Sequence, residues 1–238
     1  MRVCIVIPVL NEEGKLRDTV SRLHAFLVEQ IAMGWELVIA SNGSTDGTVA
    51  VGELLQREYP QVRVTHTSQR GRGGALKRAW LESEADILCY MDADLSTDLG
   101  ALPALLASVA NGGHDVATGS RLLVPALTTR CFKREFISRG YNYLVKALLW
   151  THFSDAQCGF KAISRRAAQH LLPMVEDTGW FFDTELLARA EKCGYRIHDL
   201  PVRWIENRDS HVRIFRTALE DVKGLLRLRR SLRRNSRL

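Results

Sequence analysis

Short apolar runs of strand length recur through the first 120 residues, and each gives way to polar or glycine residues. "VCIVIPVL" leads into Asn11–Glu12, "WELVIAS" into Ser41–Asp46, "VRVTHT" into Arg70–Gly74 and "DILCYMD" into Asp92–Asp98. Between these runs the spacing predicts helices: one from about Glu12 to Ala32, then "STDGTVAVGELLQREY", "GGALKRAWLES" and "LGALPALLASVANG". Continuous apolar strands alternating with helices are buried on both faces, which predicts an α/β fold with a mostly parallel sheet flanked by helices. Ligands of such sheets bind beyond the carboxyl ends of the strands. The four polar clusters are therefore expected to meet at one edge and make one site.

The second half reads differently. "EFISRGYNYLVKALLW" has the pattern of a helix, and "SDAQCGFKAISRRAAQHLLPMV" that of a turn or strand running into a helix. "GWFFDTELLARAEKCG" is a helix that Gly194 would cap, and "YRIHDLPVRWIE" alternates as a strand does. No repeat or low-complexity linker divides the chain. Charge does: from His211 onward nine Arg/Lys face two acids, so a net charge of +6 belongs to the tail and the other 210 residues sum to −1. One domain over residues 1–210 and a basic amphipathic helix or tail over residues 211–238 are expected.

The five cysteines are odd in number, far apart and without a CxxC pair, which suits a reducing compartment. The start has too short an apolar run for a secretory signal, and no run approaches the ~18 apolar residues that a spanning helix needs. A cytoplasmic location, peripheral on the inner face of a membrane, is the expectation.

Asp92 and Asp94 form a D-x-D directly after an apolar strand, with Asp98 beyond. Hard cations such as Mg²⁺ or Mn²⁺ take carboxylate oxygens and fill the remaining positions with substrate phosphates and water. Acids also suit a helix N-terminus, which accounts for Asp98 but leaves Asp92 unexplained. Asp92 and Asp94 are therefore the expected metal ligands. Asn11, Glu12, Asn42 and Asp46 share that edge and carry groups that read a base or ribose, although the same residue types are ordinary turn formers. "QRGRGGALKRA" sets Arg70, Arg72, Lys77 and glycine amides at a helix start, which suits a phosphate.

Taken together, Pro8-x-x-Asn11-Glu12, "GSTDGT", "GRGGA" and "DAD" resemble the motifs of family 2 glycosyltransferases with the GT-A fold. "SDAQCGFKAIS", "GWFFDTELLARAE" and "IHDLPVRWIE" look like segments of dolichyl-phosphate β-glucosyltransferases and, more distantly, of dolichyl-phosphate mannose synthases. The resemblance covers roughly Val3 to Ser210. It implies inverting transfer of a hexose, glucose before mannose, from UDP-glucose or GDP-mannose to a polyprenyl phosphate, with Mg or Mn held by Asp92 and Asp94. It further implies a nucleotide-sugar cradle of Pro8, Asn11, Glu12, Ser41, Asn42, Asp46, Arg70, Arg72, Gly73 and Asp92. Arg121, Lys133, Arg134 and Arg139 would face the acceptor phosphate or the diphosphate. Gln157 and Lys161 would line the site with Cys158, Gly159 and Phe160, and Asp183 and Glu185 would lie near the sugar, where either could also serve as a base. Two departures stand out. Ser41–Asn42 replaces the family's usual aspartate pair, and Arg72 replaces a common lysine.

A lipid phosphate is already anionic and needs positioning cations instead of a general base. "CFKREFISRG" offers three cations among apolar residues, which favours that acceptor. In the tail, Ile214 or Phe215, Ala218, Leu219, Val222, Leu225, Leu226 and Leu228 fall near helical spacing, with seven basic residues from Lys223 on. That pattern suits an anionic membrane surface. The arginines lack interleaved aromatics, which argues against nucleic acid. A separate membrane-spanning partner is compatible with this reading. Rival readings are a family 2 enzyme acting on a soluble or polysaccharide hydroxyl, a non-catalytic nucleotide-sugar-binding relative, and a phosphatase whose D-x-D follows a strand.

Overall fold

The computed structural model describes residues 1–123, 128–129, 132–205 and 214–235, with side chains for all but 128–129, 132–135, 214–218 and 234–235. The first half runs β1 (Arg2–Val9), α1 (Leu16–Gln30), β2 (Gly34–Asn42), α2 (Thr48–Glu58), β3 (Val62–Thr67), α3 (Arg72–Glu82), β4 (Ile87–Met91) and α4 (Leu102–Ala110). The second half continues with β5 (Val116–Ser120), β6 (Thr128–Thr129), α5 (Phe132–Leu149), β7 (Phe160–Ser164), α6 (Arg165–Leu171), α7 (Phe182–Lys192), β8 (Ile197–Pro201), β9 (Trp204–Ile205) and α8 (Ile214–Asn235).

Seven strands form one sheet in the order β3-β2-β1-β4-β7-β5-β8, and β6 pairs with β9 alongside. The pairings of β1 with β2 and β4, of β2 with β3 and of β5 with β8 are parallel; β7 runs antiparallel to both its neighbours. The mostly parallel sheet is thus as the apolar runs predict. The reversed strand has a consequence for the site: Phe160, where β7 begins, pairs with Met91, where β4 ends. The segment before β7 is therefore delivered to the edge where the parallel strands finish.

Strand periodicity sorts the core into two layers. In β1, Cys4 and Val6 face one side with Leu76, Trp80 and Leu187, while Val3, Ile5 and Ile7 face the other with Leu16, Leu23 and Leu105. The tail helix belongs to the first layer, because Leu225 and Leu228 of α8 are fully buried there. Burying each is worth about 2 kcal/mol. The stripe read from the sequence is therefore split: Leu225 and Leu228 face the protein, and Leu219, Val222 and Leu226 face outward. His211 and the side chains of Ile214, Phe215 and Ala218 lie outside the described residues. The predicted helix start at Glu12 moves to Leu16, because Glu12 and Glu13 are drawn into the loop: Thr48 Oγ1 accepts from the Glu12 N–H, and Glu13 Oε2 from that of Gly47. Of the cysteines, Cys4, Cys89 and Cys158 are buried free thiols and Cys193 an exposed one; Cys131 lies outside the described residues.

Candidate active site

Beyond Met91 the chain turns sharply. The Leu95 N–H donates to the Asp92 carbonyl at 3.1 Å, and the Ser96 N–H to Asp94 Oδ1 at 3.0 Å. Leu95 takes φ 51°, a strained value for a branched side chain. The turn presents both acids outward, with Asp94 exposed and the Asp92 side chain 40% exposed. Asp92 is fixed from behind, its N–H donating to the Gly159 carbonyl at 3.0 Å. A Cβ on Gly159 would lie 1.9 Å from Asp92 Oδ2, so only glycine leaves room for that carboxylate. Enclosure among the strand ends raises the Asp92 carboxyl above its ordinary range; Arg72 opposes this, and the charges of Asp94 and Asp183 add to it. Asp98 instead caps the short 3-10 turn at Leu99–Ala101, accepting from the Gly100 N–H.

Two arginines are aimed here by buried acids. Arg72 donates from Nη1 to Asp183 Oδ2 at 2.8 Å and from Nη2 to the Tyr90 hydroxyl at 2.9 Å, with Nη2 also 3.4 Å from Asp92 Oδ1. Its guanidinium carbon lies 5.0 Å from the ring centres of both Tyr90 and Trp180. Arg121 makes a fork on Asp155, Nε to Oδ2 at 2.7 Å and Nη2 to Oδ1 at 3.0 Å, and packs on Trp204. Burial alone would raise the carboxyls of Asp155 and Asp183. For Asp155 the charge and hydrogen bonds of Arg121 outweigh it; for Asp183, Lys161, Arg72 and the Tyr90 hydroxyl do so, and both carboxyls stay below the usual range.

The opposite end is a net of loop bonds. Asn11, at φ 56°, accepts through Oδ1 from the Thr45 N–H at 2.8 Å, and its own N–H donates to Ser44 Oγ. Ser41 Oγ donates to Ser44 Oγ and meets His66 Nδ1 at 3.1 Å. Asn42 is buried, with Nδ2 donating to the Val9 carbonyl at 2.9 Å. Asp46 serves the loop itself, accepting from the N–H and hydroxyl of Thr48. Pro8 is buried in β1, and the stem of Arg70 lies against Gly43.

The glycines of "GRGG" serve packing. A Cβ on Gly73 would meet Phe182 at 2.5 Å, and Gly74 donates its N–H to the Thr178 carbonyl. What that loop delivers is Arg72. Lys77 is drawn off to the Val175 carbonyl. Lys161 is 1% exposed behind the site, 3.2 Å from Asp183 Oδ1 and donating to the carbonyls of Cys158 and Ala156. Gln157 donates to Asp221 Oδ2 on α8. Glu185 is not brought together with the acids at the strand end: it is fully buried against Arg189, Arg227 and the Asp177 N–H. Arg139 is exposed on α5. The side chains of Lys133 and Arg134 lie outside the described residues.

Tyr90, Asp155, Trp180 and Asp221 are the contributors that the sequence reading passed over. Asp155 carried a signal, an acid opening the "DAQCGFK" run with no cation beside it in sequence. Asp221 carried another, since it shares a helical face with Leu225 and Leu228 at four- and seven-residue spacing. Tyr90, inside an apolar strand, carried none.

The residues fit a hard divalent cation. Asp92 and Asp94 offer outward carboxylate oxygens, and no cluster of three or more ligating side chains exists among the described residues. Such a pair suits an ion whose other ligands come from a diphosphate and water. The buried Arg72 Nε, without a hydrogen-bond partner among the described residues, is a further donor beside it.

An outward acid pair and two fixed arginines thus stand at the strand ends of a seven-stranded sheet, and the chain belongs to glycosyl transferase family 2, whose sequence model matches residues 4–172. Among its relatives, glycosyltransferase AglD of Haloferax volcanii is 40% identical over 232 residues, which is 95% of this chain and 37% of AglD. The dolichyl-phosphate β-glucosyltransferase of Drosophila melanogaster is 32% identical, covering 87% of this chain and 68% of that protein. The chain thus spans little more than a third of AglD. The structure of Mycobacterium tuberculosis glucosyl-3-phosphoglycerate synthase in complex with Mn²⁺, UDP-glucose and phosphoglyceric acid superposes with a TM-score of 0.71 at 18% identity, over 96% of this chain and 79% of that one. The fold is GT-A-like.

Proposed function

We propose that this chain transfers a hexose, glucose in the first instance, with inversion from a nucleotide diphosphate sugar to a polyprenyl phosphate, with Asp92 and Asp94 holding the required divalent ion. The observation that carries this is the meeting at one sheet edge of Asp92 with Arg72, 3.4 Å away, and with the charges of Asp94 and Arg121. The names of the dolichyl-phosphate relatives and the Mn²⁺ and UDP-glucose bound by the structural neighbour support the substrate classes. A bound Mg²⁺ or Mn²⁺ would neutralise charge on the departing diphosphate.

The protein's own groups do the rest. Arg72 and Arg121 are pre-aimed by Asp183 and Asp155, so they offer positive charge to phosphate oxygens without reorganising. Asp183, held ionised by Lys161 and Arg72, is a poor proton acceptor, which suits a nucleophile that arrives as an anion. Pro8, Asn11, Glu12, Ser41 and Asn42 form the nucleoside end, with Arg70 at its rim. Because Asn42 Nδ2 is spent on Val9, the amide oxygen is left as an acceptor for a base edge, the role an aspartate would have there.

The acceptor would approach a membrane surface on α5 and α8, which pack together and expose Phe136, Ile137 and Tyr143 on one and Leu219, Val222 and Leu226 on the other. No helix among the described residues is long and apolar enough to cross a membrane. Attachment to the inner face, with room for a separate spanning partner, is part of this reading. The test is transfer from radiolabelled UDP-glucose and GDP-mannose to polyprenyl phosphate, with and without Mn²⁺. Glucosyl lipid that requires Mn²⁺ and falls by at least about 100-fold in Asp92→Asn and Asp94→Asn is expected. Transfer to hydroxyl acceptors alone would overturn the acceptor, and ion-independent turnover the metal site.

A further inference from the structure

Asp221 lies on the buried face of α8, 3% exposed, within a helix otherwise rich in arginine. Its Oδ2 accepts from Gln157 Nε2 at 2.8 Å, whereas Oδ1 is buried without a partner among the described residues. A cleft of about 450 Å³ opens beside it, lined in part by Asp177, Trp180, Lys223 and Arg227. Gln157 belongs to the segment on which the rest of the site leans. Asp155 grips Arg121, the Gly159 carbonyl receives the Asp92 N–H, and Lys161 neutralises Asp183. Two further ties sit nearby. A Cβ on Gly224 would meet the Phe181 ring at 2.5 Å, so α8 approaches closely where α7 begins, and Arg227 reaches Glu185 at 3.1 Å.

We propose that Asp221 is a positioning residue: by holding Gln157 it seats α8 against residues 155–161 and so keeps Arg121 and Asp92 in register for transfer. This rests on the transfer reading above. The seat suits a neutral carboxyl, since an ionised one would bury an oxygen that nothing satisfies. Burial pushes Asp221 up to about 7; Gln157 opposes this, and Asp177, Glu220 and Asp183 add to it. Lys223 and Arg227 on the same helix and Tyr141 on α5 are further titratable groups around it. In an undocked helix Asp221 would titrate as an ordinary acid, near 4. The docked state therefore binds the extra proton. Seating is strongest in acid, weakens as pH rises to about 7 and levels off above.

Hydrogen exchange of the full chain, corrected for intrinsic rates, should show α8 amides better protected at about pH 6 than at about pH 8. Asp221→Asn, which keeps an acceptor for Gln157 and cannot ionise, should abolish that difference. In the transfer assay, Asp221→Leu should lower kcat about tenfold and move KM for UDP-glucose less than about twofold. Asp221→Asn should retain most of kcat and flatten the pH profile. Wild-type protection that ignores pH, an Asn variant that follows the wild type, or an undiminished kcat in the Leu variant overturns the proposal. Should the Leu variant not fold, the Asn comparison decides. Wild-type protein with no transfer activity would refute the transfer reading, and the exchange arm would still decide how α8 is seated.

Discussion

At Gly159 a side chain has nowhere to go, because the space a Cβ would fill already holds the Asp92 carboxylate. The carboxylate is the movable partner, so Gly159→Ala should fold and should push Asp92 off its position. Measured as the Mn²⁺ concentration for half-maximal activity, the expected shift is about tenfold or more upward; an unchanged ion requirement would show that Asp92 is not held by this contact. Asp155 presents the opposite case. It is fully buried and carries both prongs of the Arg121 fork. Asp155→Asn leaves a guanidinium that is 13% exposed without its counter-charge, and loss of about 3–5 kcal/mol in urea unfolding is expected. The family resemblance points to Arg121 but not to what aims it, because Arg121 and Asp155 stand 34 apart and only folding joins them.

Among the elements, β7 and α8 decide most. A run such as "GFKAIS" states that a strand exists, and nothing in its apolar content states its direction. Reversal is what brings Gly159 beside Asp92. For α8, periodicity predicts a basic amphipathic helix, yet which apolar residues stay exposed depends on what the rest of the chain offers to cover. Leu225 and Leu228 found cover against the first core layer. Cutting the chain after Asp221 would thus strip core residues along with charge. Reversing exposed cations, Lys223→Glu with Arg230→Glu, is the cleaner experiment. On vesicles containing anionic lipid, sedimentation of the double variant should fall by about tenfold or more, at up to ~1 kcal/mol per charge removed and as much again for its reversal. Equal retention of both proteins would remove the membrane from the reading.

For the whole molecule, the fully buried Asp155 and Asp183 contribute to the response to acid. Their folded-state carboxyls lie below the ordinary range, so each contributes stability that is fully present above roughly pH 4 and is lost as pH falls through the folded value. Urea midpoints should drop steeply below about pH 4, and less steeply in Asp155→Asn, which has one such carboxyl fewer. The alternation of strands and helices in the first half, and the placing of Asn11, Asn42, Arg72 and Asp92 at one sheet edge, were determined by the sequence alone. Local periodicity dictates each of these elements, and parallel crossovers put the carboxyl ends of β1, β2, β3 and β4 on the same side. The buried partners were decided only in three dimensions: Asp155 behind Arg121, Tyr90 and Asp183 behind Arg72, Asp221 beneath Gln157. A charge can be buried only where a distant residue answers it, and that distance is set by packing, which no local pattern encodes.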